Sequence, residues 1–239
     1  MHRIIAKKQK NVKFFTTNIN NNMNILPGVQ EIHKEMTEWR HDFHMHPELS
    51  FEETRTSEIV ANKLESFYSQ LVNELLNRNI PTLVDADALL PIFNELDKNE
   101  VSVANNFVLT PHPKEYARML NQPISEGINK SDLLNTSKRI KQVLVYKTHK
   151  TLVVNGSEIW LSMTGNVALA TAGTGDVLSG MIASFLGQGL NAFDASKLGV
   201  YMHGLSADIA VESIGVRALL ARDVCSYISQ AFQELIRGS

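Results

Sequence analysis

The chain has 239 residues, 44% hydrophobic and 20% charged, a balance that excludes a wholly disordered, collagenous or coiled-coil protein. Its single cysteine, Cys225, rules out an intramolecular disulfide framework and points to a reducing, cytoplasmic setting. No run approaches the ~18 consecutive apolar residues of a membrane helix, and beyond five basic groups in residues 1–30 the chain is acidic, with 18 basic and 25 acidic groups, which does not suggest a binder of nucleic-acid phosphates.

Residues 1–28 are basic and asparagine-rich, and read as a disordered tail or as translated sequence upstream of a start at Met23. Their lack of acids leaves an organelle-targeting peptide as the alternative. From Val29, the spacing of Ile32, Met36, Trp39 and Phe43 predicts a helix that Pro47 ends. Glu52, Glu53 and Thr54 open a second helix, with Ile59, Val60 and Leu64 on one side. His41, His44 and His46 invite a metal reading; the competing one is that they and Glu48 serve packing and a turn.

Helical and strand patterns then alternate. Leu71, Leu75 and Leu76 predict a helix, Pro81–Val84 a short strand, and Asp87 caps the helix that follows. Phe107–Leu109 is a second strand, Lys114–Leu120 a helix, and Ser131–Ile140 another, with Ser131 as its cap. Val143–Tyr146 and Thr151–Val154 are β-branched strands, and a hairpin through Asn155 and Gly156 leads into a third. A long helical tail follows, in which Cys225 reads as a core filler and His203 as a buried helix residue rather than a ligand. The alternation argues an α/β fold with a partly parallel sheet.

Glycine is unevenly spread. Only Gly28 precedes residue 127, whereas six glycines crowd between Gly165 and Gly189. Within that stretch Gly173 and Gly175 bracket Thr174, and Asp176 leads a helix whose apolar face is Leu178, Ile182, Phe185 and Leu186. Glycines before a helix let backbone N–H groups converge where the helix dipole is positive, which makes a phosphate nest. No Gly-Lys-Ser/Thr pair is present, so this is not a Walker P-loop, and no GxGxxG follows a strand. A carboxylate beside the nest could take a proton from a hydroxyl attacking a phosphate; alternatively Asp176 only caps its helix.

Five blocks occur in one order: PTLVDADALL (81–90), FVLTPHPKEYARM (107–119), VLVYKTHKTLVV (143–154), residues 164–190 and LGVYMHGLSADIA (198–210). Together they resemble the C-terminal portion of the ADP- or ATP-dependent NAD(P)H-hydrate dehydratases, members of the ribokinase-like superfamily. The resemblance runs from about Tyr68 to Leu235. Residues 29–67 instead look like the opening of the zinc-dependent amidohydrolases that include aminoacylases, a stretch that ends before that family's metal ligands. The implied organisation is a tail (1–28), an amidohydrolase-like helical fragment (29–67) and a dehydratase-like domain (68–239). The implied fold is a three-layer α/β/α ribokinase-like sandwich, truncated at its N-terminal half and preceded by two helices.

The resemblance also implies an activity and its residues. A nucleotide, ADP or ATP, phosphorylates the hydroxyl of hydrated NADH or NADPH, and loss of phosphate restores the cofactor; the enzyme is a lyase. Asp176 would be the catalytic base, and the amides of Gly173, Thr174 and Gly175 the anion hole. Lys147, Thr148, His149, Lys150 and Thr151 would form the nucleotide-side loop. His112 and Asn166 would contact the hydrated cofactor, and Glu115 would help organise Mg2+ and water. Asp85 and Asp87 match the DADAL element. Three positions depart from the family pattern: Lys114 and Thr148 each replace a glycine and Leu90 an asparagine, and a positive φ at 148 would cost on the order of 1–2 kcal/mol. Loss of neighbouring strands would leave an apolar face and an unpaired edge, so a homo-oligomer is expected. Nucleic acid and membrane are not expected partners. The alternatives are a non-catalytic nucleotide-binding remnant and, further off, a fragment of a zinc amidohydrolase.

Overall fold

The computed structural model describes residues 27–48, 54–98, 106–123 and 129–237. The predicted tail up to residue 26, together with Glu52 and Glu53, lies outside them, as do the side chains of Ile32 and Leu64. Contacts divide the chain into two units, residues 1–60 and 61–239.

The first unit holds helix α1 (Pro27–Met45) and the start of α2 (Thr54–Asn77). The Glu48 carboxylate accepts the N–H groups of Arg55 and Thr56 at 2.9 and 2.7 Å, satisfying donors that the first turn of a helix leaves orphaned. Arg55 grips Asp42 with Nη2 at 3.0 and 2.8 Å from the two carboxylate oxygens, and His46 lies 3.2 Å from Asp42. Of the expected apolar face of α1, Met36 is 57% exposed. The helix predicted to open at Glu52–Thr54 and the one predicted around Leu71–Leu76 are one continuous helix, because no glycine or proline interrupts residues 54–77.

The second unit is a five-stranded sheet between two layers of helices. Strands β1 (Thr82–Val84), β2 (Phe107–Leu109) and β3 (Val143–Tyr146) run parallel, and β4 (Leu152–Val154) and β5 (Ile159–Leu161) are antiparallel additions, in the order β1-β2-β3-β4-β5. Side chains alternate across the sheet as a strand's period of two requires. Phe107, Leu109, Leu144, Tyr146 and Val154 face one core, shared with α3 (Leu89–Lys98), α4 (Pro113–Met119), α5 (Lys130–Ile140) and Val72 of α2. Val108, Val143, Val145 and Val153 face the other, shared with α6 (Thr174–Gly187), α7 (Ala192–Ile214) and α8 (Ala221–Arg237). Strands buried on both faces read as unbroken apolar runs, which is why VLVY and FVL carry no polar alternation.

Several local expectations are corrected. Asp85, not Asp87, caps the turn after β1: its side chain accepts the Ala86 N–H, and a short 3-10 turn over Ala86–Ala88 precedes α3. Asn129 rather than Ser131 caps α5, accepting the Ser131 N–H. Thr148 does not have positive φ, so the replaced glycine brings no strain there. Lys114 sits in the first turn of α4 and also has negative φ. Cys225 is exposed; only Val224 and Ala231 of α8 are buried, a narrower stripe than the amphipathic pattern implies. His203 is buried in α7, as expected.

Candidate active site

Parallel strands align their carboxyl ends, and in open α/β sheets that rim is where ligands bind. Here it gathers the chemistry. Asp85 follows β1, Thr110 to His112 follow β2, and Lys147 follows β3. The ladder continues past the strands: the Thr110 N–H donates to the Val84 carbonyl at 3.1 Å and the Lys147 N–H to the Pro111 carbonyl at 2.9 Å, fixing the three loops in register.

At the end of β1, Asp85 accepts Lys147 Nζ at 2.7 Å and the Ala86 N–H at 2.9 Å on Oδ1, and Ser179 Oγ at 2.7 Å on Oδ2. Asp85 and Lys147 side chains are 17% and 20% exposed, so the pair is sheltered without being sealed. Burial pushes the Asp85 carboxyl up, but the hydrogen bonds from Lys147 and Ser179 and the Lys147 charge outweigh it and hold it below the usual aspartate range. Ala86 adopts φ 54°, a left-handed conformation that costs a non-glycine residue on the order of 1–2 kcal/mol.

After β2, His112 caps α4 in a reciprocal box. Its Nδ1 accepts the N–H groups of Lys114 and Glu115 at 3.1 and 3.2 Å, while Glu115 Oε2 accepts the His112 N–H at 2.7 Å. An accepting Nδ1 assigns the ring proton to Nε2, which lies 3.5 Å from Glu115 Oε1. Glu115 Oε2 is also 3.8 Å from Lys147 Nζ. The Lys147 ammonium is therefore flanked by two carboxylates from two different strand ends.

The glycine nest lies against this cluster. Gly173 takes φ 86°, turning the chain into α6, and a Cβ at position 175 would lie 3.9 Å from Lys147 Nζ. Thr174 is buried, its N–H donating to the Thr171 carbonyl at 3.3 Å and its hydroxyl to the Leu169 and Thr171 carbonyls at 2.6 and 2.8 Å. In the first turn of α6 the amides of Gly175 and Asp176 have no acceptor among the described residues, and neither does that of Gly173 just before it. Asp176 is exposed on the same rim. His203, from α7, is buried against the Thr174 backbone with Nε2 unpartnered, and burial lowers its pKa to about 4 despite that contact.

Asn166 lies in a loop that α7 clamps: Asp208 accepts the Gly165 N–H at 2.8 Å and Asn166 Nδ2 at 2.7 Å. The Thr148–Thr151 turn closes on itself, Thr148 Oγ1 donating to the Lys150 carbonyl at 2.7 Å and Thr151 Oγ1 to the Thr148 carbonyl at 3.3 Å; His149 and Lys150 are exposed. The strand ends thus bring together Asp85, His112, Glu115, Lys147 and Gly175. Ser179 and Asp208 were not singled out from sequence: both act across long chain separations, and only a hydroxyl and a carboxylate interrupting apolar helices marked them. Among the described residues no three His, Cys, Asp or Glu side chains converge as a metal site, His41, His44 and His46 included.

A family profile described as NAD(P)H-hydrate dehydratase matches residues 31–230. The chain belongs to that family. The match takes in the stretch whose motif resembles the amidohydrolase opening. Over 151 residues the chain is 39% identical to the ADP-dependent (S)-NAD(P)H-hydrate dehydratase of Neisseria meningitidis, covering 60% of this chain and 50% of that one. It therefore spans half the length of that NAD(P)H-hydrate dehydratase. A crystal structure of the ADP/ATP-dependent NAD(P)H-hydrate dehydratase of Bacillus subtilis, co-crystallised with ATP and Mg2+, superimposes with TM-score 0.61 at 29% identity, over 69% of this chain and 58% of that one. A ribokinase-like superfamily protein of Enterococcus faecalis shares the fold, with TM-score 0.57 at 23% identity, over 69% of this chain and 58% of that one. This member of the dehydratase family thus has the expected ribokinase-like α/β architecture, and among its described residues no helix is long and apolar enough to cross a membrane.

Proposed function

We propose that the chain dehydrates hydrated NADH and NADPH at the expense of ADP or ATP, using the rim of β1–β3 and the N-terminus of α6. The observation that carries this is the meeting of three features: first-turn amides at Gly175 and Asp176, a lysine ammonium beside Gly175, and the exposed carboxylate of Asp176 itself. Amides and ammonium suit a transferring phosphoryl group, whose charge needs stabilisation more than covalent help. Asp176 takes the proton of the substrate hydroxyl as its oxygen bonds to the terminal phosphorus and the bond to the nucleotide breaks. The C–O bond of the new phosphate ester then breaks, the neighbouring carbon loses a proton, and the ring double bond returns.

In this reading Gly173, Thr174 and Gly175 shape the anion hole, Lys147 to Thr151 hold the nucleotide side, and His112 Nε2 and Asn166 face the hydrated cofactor. Mg2+ would neutralise phosphate charge. Glu115, on the same rim 3.8 Å from Lys147 Nζ, would help hold it through water. Residues 68–239 make up the catalytic domain, acting in the cytoplasm as a homo-oligomer that pairs the open edge of β1; neither nucleic acid nor membrane takes part. The test is incubation with hydrated NADH, Mg2+ and ADP or ATP, following absorbance by NADH. Its return supports the reading. Nucleotide binding without any return would favour a non-catalytic binder.

A further inference from the structure

We propose that Ser179 and Asp85 form a positioning relay that holds the Lys147 ammonium at the mouth of the glycine nest, in place for nucleotide phosphate. This rests on the nucleotide reading of the nest given above. Lysine is a point charge on a flexible stem with three rotatable donors, and immobilising it on ligand binding has an entropic cost that pre-ordering removes. Lys147 is already ordered. One carboxylate oxygen of Asp85 takes its Nζ at 2.7 Å, and the other takes Ser179 Oγ at 2.7 Å, so the carboxylate can neither rotate nor withdraw without losing a bond. The Ala86 N–H adds a third anchor at 2.9 Å.

The relay also couples the lysine to the nest itself. Ser179 stands one turn beyond Gly175 in α6 and lies on the same helix face. Its bond to Asp85, across 94 residues of chain, ties the first turns of α6 to the end of β1. The ammonium and the first-turn amides therefore keep a fixed spacing. Ser179 touches no reacting atom in this scheme and acts only through Asp85 and Lys147.

A counter-charge and a positioner predict opposite signs. If Asp85 merely neutralised Lys147, Asp85→Asn would raise local positive charge and tighten binding of a polyanionic nucleotide. As a positioner, the same change weakens binding. Calorimetric titration of the full chain with ADP, and with inorganic pyrophosphate, separates the two. Ser179→Ala, which leaves every charge in place, is expected to weaken ADP about five- to tenfold, with Ser179→Thr restoring it and the melting temperatures of both staying close to wild type. Asp85→Asn is expected to weaken it at least as much. Wild-type affinity in Ser179→Ala, failure of Thr to rescue, or tighter binding in Asp85→Asn would overturn the relay. A wild-type chain that binds ADP yet never regenerates NADH would sink the dehydratase reading and leave the relay standing. A wild-type chain that binds neither ADP nor pyrophosphate would sink both.

Discussion

Gly204 sits in the middle of α7, where alanine would ordinarily be the better residue by about 1 kcal/mol. The structure reverses that expectation. A Cβ at 204 would run into Thr164 Oγ1 and stand 2.6 Å from the Thr164 carbonyl carbon and 2.7 Å from the Gly165 nitrogen. These are backbone atoms, and they cannot easily yield: Thr164 Oγ1 donates to the Tyr201 carbonyl at 2.8 Å and the Gly165 N–H to Asp208 at 2.8 Å. Overpacking costs about 1–3 kcal/mol, and a clash this close with tethered backbone belongs at the upper end, about 2–3 kcal/mol, so after the propensity gain of about 1 kcal/mol Gly204→Ala should be destabilised by about 1–2 kcal/mol. For a chain of this size that lowers the melting temperature by roughly 2–8 °C. Gly180→Ala is the control: it is also within a helix, with nothing within 4 Å of the added Cβ, and should gain about 1 kcal/mol. Thermal unfolding followed by circular dichroism reads both. A Gly204→Ala variant melting at or above wild type would refute the claim that α7 is pressed glycine-to-backbone against the 164–166 loop.

Other perturbations probe separate parts. His203 stays neutral in the fold with a pKa of about 4 against 6.5 for the free side chain, so its contribution is full above pH 6.5 and is lost as pH falls toward 4. Denaturant titrations should show that decline, on the order of 3 kcal/mol at most, and His203→Gln should flatten it. Asp85, held below the usual range, loses its contribution only at still lower pH, as its folded pKa is crossed. Tyr116→Phe removes a 2.8 Å hydrogen bond to buried Thr136 and should lose about 1–2 kcal/mol in the same titrations. The outer edge of β1 has no partner among the described residues, and size-exclusion chromatography should show an oligomer; a well-behaved monomer would contradict that assembly.

The parts of the fold legible in the sequence are those set by local pattern. Val143–Tyr146 and Phe107–Leu109 announce themselves because strands covered on both faces need unbroken apolar residues. The face of Leu178, Ile182, Phe185 and Leu186 is buried as its helical spacing implies. Caps were less legible because φ and ψ choose between equally suitable residues: Asp85 and Asp87 are both good caps, and the left-handed Ala86 between them decides for Asp85. At the site, the motifs pointed to Gly173–Asp176, His112, Glu115 and Lys147, and the strand ends bring the last three together. Ser179 and Asp208 stayed hidden because their partners lie 94 and 42–43 residues away, beyond any periodicity.

Asp176, exposed beside the nest, is the base in the proposed reaction. Replacing it with asparagine preserves shape and removes the proton acceptor. Absorbance recovery from hydrated NADH with Mg2+ and ADP or ATP, measured beside ADP affinity in both proteins, is the direct test. Loss of recovery in Asp176→Asn with ADP affinity unchanged is the predicted result, and retained turnover would contradict it.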